Sequence, residues 1–138
     1  MIIGVTGTRD GMNSTQIELV GMFLLERSGE FHHGDCFGVD LQAARIAKHL
    51  GYRVVCHPPE KDYLRAFHES DEIRPKYNYL RRDRNIVDAV ELLIVVPKQN
   101  EWQPEGGTWY THDYATKIGK PTVTFFPNGE IKYEKVCS

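Results

Sequence analysis

No apolar stretch in this chain reaches the roughly 18 to 20 residues that a membrane-spanning helix needs, and Met1 runs directly into a strand-like pattern without a positively charged leader. On these grounds neither a bilayer-spanning helix nor a secretory signal is expected, and the cytoplasm is the expected location. One-sided charge is also missing. The 17 lysines and arginines nearly balance 19 acidic residues, for a formal charge of -2, so no global basic field exists to drive sequence-independent nucleic-acid binding. Cysteine is scarce: Cys36, Cys56 and Cys137 are odd in number and widely spaced, which yields neither a disulfide framework nor a CxxC pair and leaves reduced thiols. His32 and His33 are adjacent and would point to opposite faces of a strand, poor geometry for one metal, so neither a metal nor a cofactor is expected. Internal repeats and low-complexity segments are absent. Its 138 residues suit one domain, residues 1–138, with a single core.

What is present is an alternation. Apolar, β-rich runs at Ile2–Thr6, Phe31–Gly34, Arg53–Cys56, Leu92–Val96 and Thr122–Phe126 are mostly separated by segments of helical spacing. Ile17, Val20, Gly21 and Leu24 recur on one helical face, with Thr15 and Glu18 as a capping-box pair; Val39, Ala43, Ile46, Ala47 and Leu50 recur on another, stopped by Gly51. Continuously apolar strands belong to a parallel sheet covered on both faces. The spacing therefore predicts an α/β fold, a Rossmann-like three-layer α/β/α sandwich with a mainly parallel sheet of about five strands. The stretch from His57 to Lys76, bracketed by Pro58-Pro59 and Pro75, breaks the rhythm. It reads either as a long loop beside the site or as a surface excursion packed by Tyr63 and Phe67. Pro127-Asn128-Gly129 suggests a terminal hairpin.

Three strand exits carry glycine: Gly7-Thr8-Arg9, then His33-Gly34-Asp35 through Gly38 and Asp40, then Glu105-Gly106-Gly107-Thr108 opening a helix through Thr111. Glycine admits a close ligand, and a helix N-terminus offers unpaired N–H groups at the positive end of its dipole, so the design suits an anion, above all a phosphate. Neither of the first two junctions completes the dinucleotide fingerprint or supplies the P-loop lysine. Asp40 fits two roles, stabilising a helix N-terminus or binding ligand; Asp35 can accept from a ribose or cap the helix. In Tyr77–Ala89 the spacing puts Leu80, Asp83, Arg84 and Val87 near the inward face, so the two charged groups need either each other or a ligand, with Arg84 a phosphate-binding candidate.

The succession Gly7-Thr8-Arg9, His33-Gly34-Asp35-Cys36-Phe37-Gly38-Val39-Asp40, Arg84-Asn85 and Gly107-Thr108-Trp109-Tyr110-Thr111 with Ala115 resembles the SLOG superfamily, closest to its YspA/YpsA-related branch, over nearly the whole chain. Gly107, Thr108, Thr111 and Ala115 meet the branch pattern of Gly-Thr, a further Thr three residues on and Ala four later. The superfamily's LOG phosphoribohydrolases instead carry Gly-Gly-x-Gly-Thr-x-x-Glu. Laid from Gly106, that pattern places Trp109, Tyr110 and Asp113 where Gly, Thr and the catalytic Glu belong, and Asn85 where a Lys follows Arg84. The resemblance implies a ligand pocket for a nucleotide or nucleotide-derived molecule and a homodimer. The leading expectation is a binding or sensing module. The alternative is hydrolysis of the N-glycosidic bond of nucleoside 5′-monophosphates, with Arg84 and Asp113 as catalytic residues. A third reading, single-stranded DNA binding as in DprA/Smf proteins, draws on Arg74, Lys76, Arg81, Arg82 and Arg84 with Tyr77 and Tyr79, but the near-neutral charge makes nucleic acid a disfavoured partner.

Overall fold

The computed structural model describes residues 1–135, and Cys137 lies outside them. In chain order the elements are β1 (Ile2–Gly7), α1 (Ser14–Leu25), β2 (Glu30–His33), α2 (Val39–His49), β3 (Arg53–Cys56), β4 (Glu72–Ile73), α3 (Tyr79–Ala89), β5 (Leu92–Val96), α4 (Gly107–Lys117), β6 (Thr122–Phe125) and β7 (Ile131–Glu134). The sheet order is β4-β3-β2-β1-β5-β6-β7, parallel throughout except for the terminal β6–β7 hairpin. All five expected strands form. The two additions are short edges: β4, inside the stretch read as a loop, and β7, the second arm of the hairpin.

Strand alternation distributes the core to two faces. Ile3 and Val5 of β1, with Ile94 and Val96 of β5, pack under α1 and α2 together with Val20, Leu24, Val39 and Ala43. Leu93 and Val95 point the other way, beneath Ile86, Val87 and Ala115 of α3 and α4. The result is the three-layer Rossmann-like sandwich that the continuous apolar strands imply. At Gly4 the second layer comes unusually close: a Cβ there would lie 2.8 Å from Val90 Cγ1 and 3.0 Å from Ile86 Cγ2.

The start of α1 differs from the sequence expectation. Its N-cap is Asn13, whose side chain accepts from Gln16 N while the Gln16 side chain accepts from Asn13 N, a reciprocal box one register earlier than Thr15 and Glu18. The buried face accordingly runs through Gln16, Val20, Phe23 and Leu24, and Ile17 is exposed. Gln16 also donates from Nε2 to Pro97 O at 3.0 Å and Phe125 O at 2.9 Å, satisfying the carbonyls where β5 and β6 end.

Gly4→Ala should lower the unfolding free energy by about 1–3 kcal/mol, since α3 must move outward to admit one methyl group. Urea unfolding of both proteins measures it, and an unchanged midpoint would show that Val90 yields freely.

Candidate functional site

β1 leads through α1 to β2 on one side, whereas α3 returns the chain to β5 on the other side of β1. The strand order therefore reverses between β1 and β5, and the crevice beyond their carboxyl ends is where open parallel sheets take ligands. A pocket of about 760 Å³ lies there. Its walls come from Thr6–Asp10 at the end of β1 and just beyond it, Glu105–Trp109 at the start of α4, Pro59–Lys61 with Tyr63 and Leu64, and Cys36, Asp40, Arg82 and Asp83. A volume of this size is in the range that accommodates a nucleotide-sized molecule.

All three glycine junctions leave the same edge of the parallel strands, yet they are not equivalent. The start of α2 is crowded by the turn after β1. Val39 N donates to Thr8 O at 3.1 Å, Cys36 N donates to the Asp40 carboxylate at 3.3 Å, and a Cβ on Gly38, itself at φ +81°, would fall 2.4 Å from Arg9 O. Gly7 is equally confined, with Val39 Cγ1 2.4 Å from where its Cβ would be, and at Gly34 the corresponding distance is 2.7 Å to Arg82 Nη1 and 2.9 Å to Asp40 Oδ2. These glycines serve packing. Both α2 and α4 start at a glycine N-cap without a side-chain cap, but at α4 nothing among the described residues lies within 4 Å of a Cβ on Gly106 or Gly107. The first N–H groups of α4 thus face open space at the pocket wall.

Seven of the expected ligand residues line this pocket, namely Gly7, Thr8, Arg9, Asp40, Gly106, Gly107 and Thr108. Arg9 is exposed and enters no ion pair among the described residues, while Thr8 Oγ1 accepts from Asp10 N at 3.1 Å. The other expected residues lie elsewhere. Gly34 and Gly38 sit behind the wall. Thr111 is buried and donates from Oγ1 to Gly107 O at 2.7 Å, which steadies the first turn of α4. Arg84 is on the exposed face of α3, because the helix turns Arg82, Ile86 and Val87 inward instead. Asn85 lines a separate depression of about 350 Å³ with His57, Arg74 and Tyr77. Asp113 is half-exposed and accepts from Trp102 Nε1 at 3.0 Å, outside the pocket. Arg84 and Asp113 therefore do not share a site, which corrects their pairing as catalytic residues.

Asp35 is also corrected. Its carboxylate, fully buried, accepts from Arg65 Nε at 2.8 Å and His68 N at 2.9 Å, and its carbonyl accepts from Ala66 N at 2.7 Å. Every one of these donors belongs to the 57–76 stretch, so Asp35 neither meets a ribose nor caps α2; it fastens that stretch over the end of β2. The stretch reads as a loop beside the site, since it supplies part of the pocket wall. Tyr63 and Phe67 do not pack it down, being 74% and 59% exposed. His33, Asp35 and Cys56 bring donor atoms within 4.8 Å of one another, but the Arg65 guanidinium already takes the position of a cation there.

Arg82 is the residue that periodicity missed. It is 4% exposed, and its guanidinium donates to Gly34 O, to His57 O at 3.3 Å, to Cys36 Sγ at 3.6 Å and to Asp83 Oδ1 at 2.7 Å. Burial pushes the Asp83 carboxyl up while Arg82 pulls it down, with a net rise. Burial likewise raises the Asp40 carboxyl to about 7, against the opposing pull of Arg82. Of the basic cluster that suggested DNA, Arg82 is internal, Arg74 pairs with Glu72 at 2.8 Å, Lys76 pairs with Asp62, and Arg81 stacks 4.0 Å from the Tyr77 ring centroid.

No protein-family model and no curated protein matches this chain. Among solved structures it is similar to the X-ray structure of TM1055, a Northeast Structural Genomics Consortium target, with a TM-score of 0.65 and 16% identity over 88% of this chain and 71% of that one. The likeness establishes a Rossmann-like fold. No helix among the described residues is long and apolar enough to cross a membrane.

Below the site, His33 and His57 are held neutral: desolvation lowers each to about 3, helped by His68 for the first and His32 for the second. The unfolded chain takes up protons near pH 6.5 that these buried rings refuse, so their contribution is present above 6.5 and lost as pH falls. Asp40 acts oppositely, its contribution being lost as pH rises through about 7. The unfolding free energy should therefore fall between pH 6 and pH 5. Asp40→Asn should steepen that slope by about 1.4 kcal/mol per pH unit, one proton's worth, in denaturation series at both pH values.

Proposed function

We propose that this chain binds a nucleotide or nucleotide-derived ligand in the crevice between β1 and β5, with the phosphate on the start of α4. The observation that carries the reading is the open N-terminus of α4 at the wall of a nucleotide-sized pocket, where Gly106 and Gly107 leave the backbone uncovered, whereas at α2 Val39 N is taken by Thr8 O and Gly38 is pressed against Arg9. Arg9, exposed at the rim and without an ion pair among the described residues, supplies a second anion contact. The ordered motifs shared with the SLOG superfamily, and with its YspA/YpsA-related branch in Gly107, Thr108, Thr111 and Ala115, support the same reading and imply a homodimer. Binding or sensing is favoured over N-glycosidic hydrolysis because Arg84 and Asp113, on which the hydrolase pattern depends, lie outside the pocket.

Calorimetry with the four common ribonucleoside 5′-monophosphates tests this, with chromatography of the same mixtures for free base. Gly107 has ordinary backbone angles and free space at its Cβ, so Gly107→Val should leave the melting temperature nearly unchanged. It should weaken binding by about tenfold or more, the loss of one or two charge-assisted hydrogen bonds. Arg9→Ala should weaken binding and flatten its dependence on salt. Undiminished affinity in both variants would remove the phosphate from α4.

A further inference from the structure

The pocket is lined by both signs of charge, Arg9, Lys61 and Lys98 together with Asp10, Glu60 and Glu105, and one acid among its lining stands apart. Asp40 is 7% exposed and projects into the same cavity, and Asp83 stands nearby. Asp83 is neutralised by Arg82 at 2.7 Å. Asp40 makes no ion pair within 4 Å; its Oδ2 accepts from Cys36 N, and Oδ1 has no hydrogen-bond partner among the described residues. Nor is that oxygen sealed in. Among the described residues the fully enclosed side-chain polar atoms without a partner are Thr122 Oγ1 and Thr124 Oγ1, so Asp40 Oδ1 reaches open space, and the open space beside it is the pocket.

A carboxylate oxygen that faces the pocket without a protein partner is free to accept from a donor on a ligand. The ligand is then two-ended, anionic where it meets α4 and hydrogen-bond-donating where it meets Asp40. A phosphate alone would be repelled by Asp40. A sugar phosphate meets both demands, since its ring carries hydroxyl donors beside the anionic group, and a carboxylate accepting from ribose hydroxyls is a proven way for parallel-sheet sites to read a ribonucleotide. We infer that Asp40 is a specificity-determining residue that accepts hydrogen bonds from the ribose 2′- and 3′-hydroxyls, making the site selective for ribonucleotides. The inference rests on the proposed nucleotide site and adds to it the residue that reads the sugar.

The test compares, by calorimetry at pH 7.5, each of the four ribonucleoside 5′-monophosphates with its 2′,3′-dideoxy counterpart, which keeps base and phosphate. Wild type should bind the best ribonucleotide about ten- to a hundredfold more tightly than its dideoxy form, the span expected for hydrogen bonds to a charged acceptor. Asp40→Ala should collapse that ratio toward one by weakening the ribonucleotide, while inorganic phosphate binds the variant at least as well as wild type. Equal binding of both sugars by wild type would overturn the inference and leave the phosphate site standing, and it needs no variant to fold. A sugar preference that survives in Asp40→Ala would overturn it too, assigning the reading to another residue. Failure of every nucleotide and of inorganic phosphate to bind would instead bring down the underlying site.

Discussion

The buried guanidinium of Arg82 is the interaction on which the site's architecture depends. A charge removed from water must be matched on most sides, and here the matching groups come from separate elements: the carbonyls of Gly34 and His57 beyond β2 and β3, the Cys36 sulfur, and Asp83 on α3 itself. Desolvation works against the charge, yet Asp83, Cys36 and Asp40 more than restore it. Removing Arg82 would strand Asp83 and orphan two carbonyls at once. Its position therefore fixes how α3 sits over the strand ends, and with it the back wall of the pocket. Gly34 is glycine because any side chain there would occupy the space of that guanidinium.

A second polar knot complements the first. Asp35, at φ 58° in the left-handed region that aspartate tolerates better than most residues, turns its carboxylate and carbonyl toward Arg65, Ala66 and His68. The segment from His57 to Lys76 has little apolar anchorage, so these bonds take the place of a hydrophobic contact. Arg65 lies 4.3 Å over the exposed Phe67 ring, which extends the knot to the surface. One consequence reaches the pocket: Pro59–Lys61 and Tyr63 border it from a segment whose position is set by polar bonds rather than by core packing.

Much of the architecture was legible in the amino-acid order, because a covered parallel strand must be apolar on both faces and Ile2–Val5 and Leu92–Val96 obey that demand, while Thr122–Phe125 meets it with β-branched threonines on one face. β4 was not legible, since two residues carry no periodicity. The cap of α1 was misread because Asn13–Gln16 and Thr15–Glu18 both fit a capping box, and only burial of Gln16 against the ends of β5 and β6 decides between them. On α3 the run Arg81-Arg82-Asp83-Arg84 places charge around most of the helix, so spacing alone could not tell which guanidinium goes inside. Arg84 satisfied the pattern, but the carbonyls waiting beyond β2 and β3 lie on the side of Arg82.

The same long-range accounting explains why three similar glycine motifs have different meanings. A strand-glycine-helix junction becomes an anion site only if no other segment has used its N–H groups. At α2 the Thr8 carbonyl has taken Val39 N, and the turn before the helix is drawn in by Cys36 N donating to the Asp40 carboxylate. At α4 the preceding stretch from Lys98 to Glu105 passes the helix start without capping it, and Gly106 offers no side chain of its own. Asp40 then gains its meaning from the asymmetry. In accepting from Cys36 N with one oxygen it leaves the other facing the cavity that the uncovered start of α4 also lines, so the pocket offers N–H donors at α4 and an acceptor at Asp40. A ligand that fills it must carry that polarity in reverse.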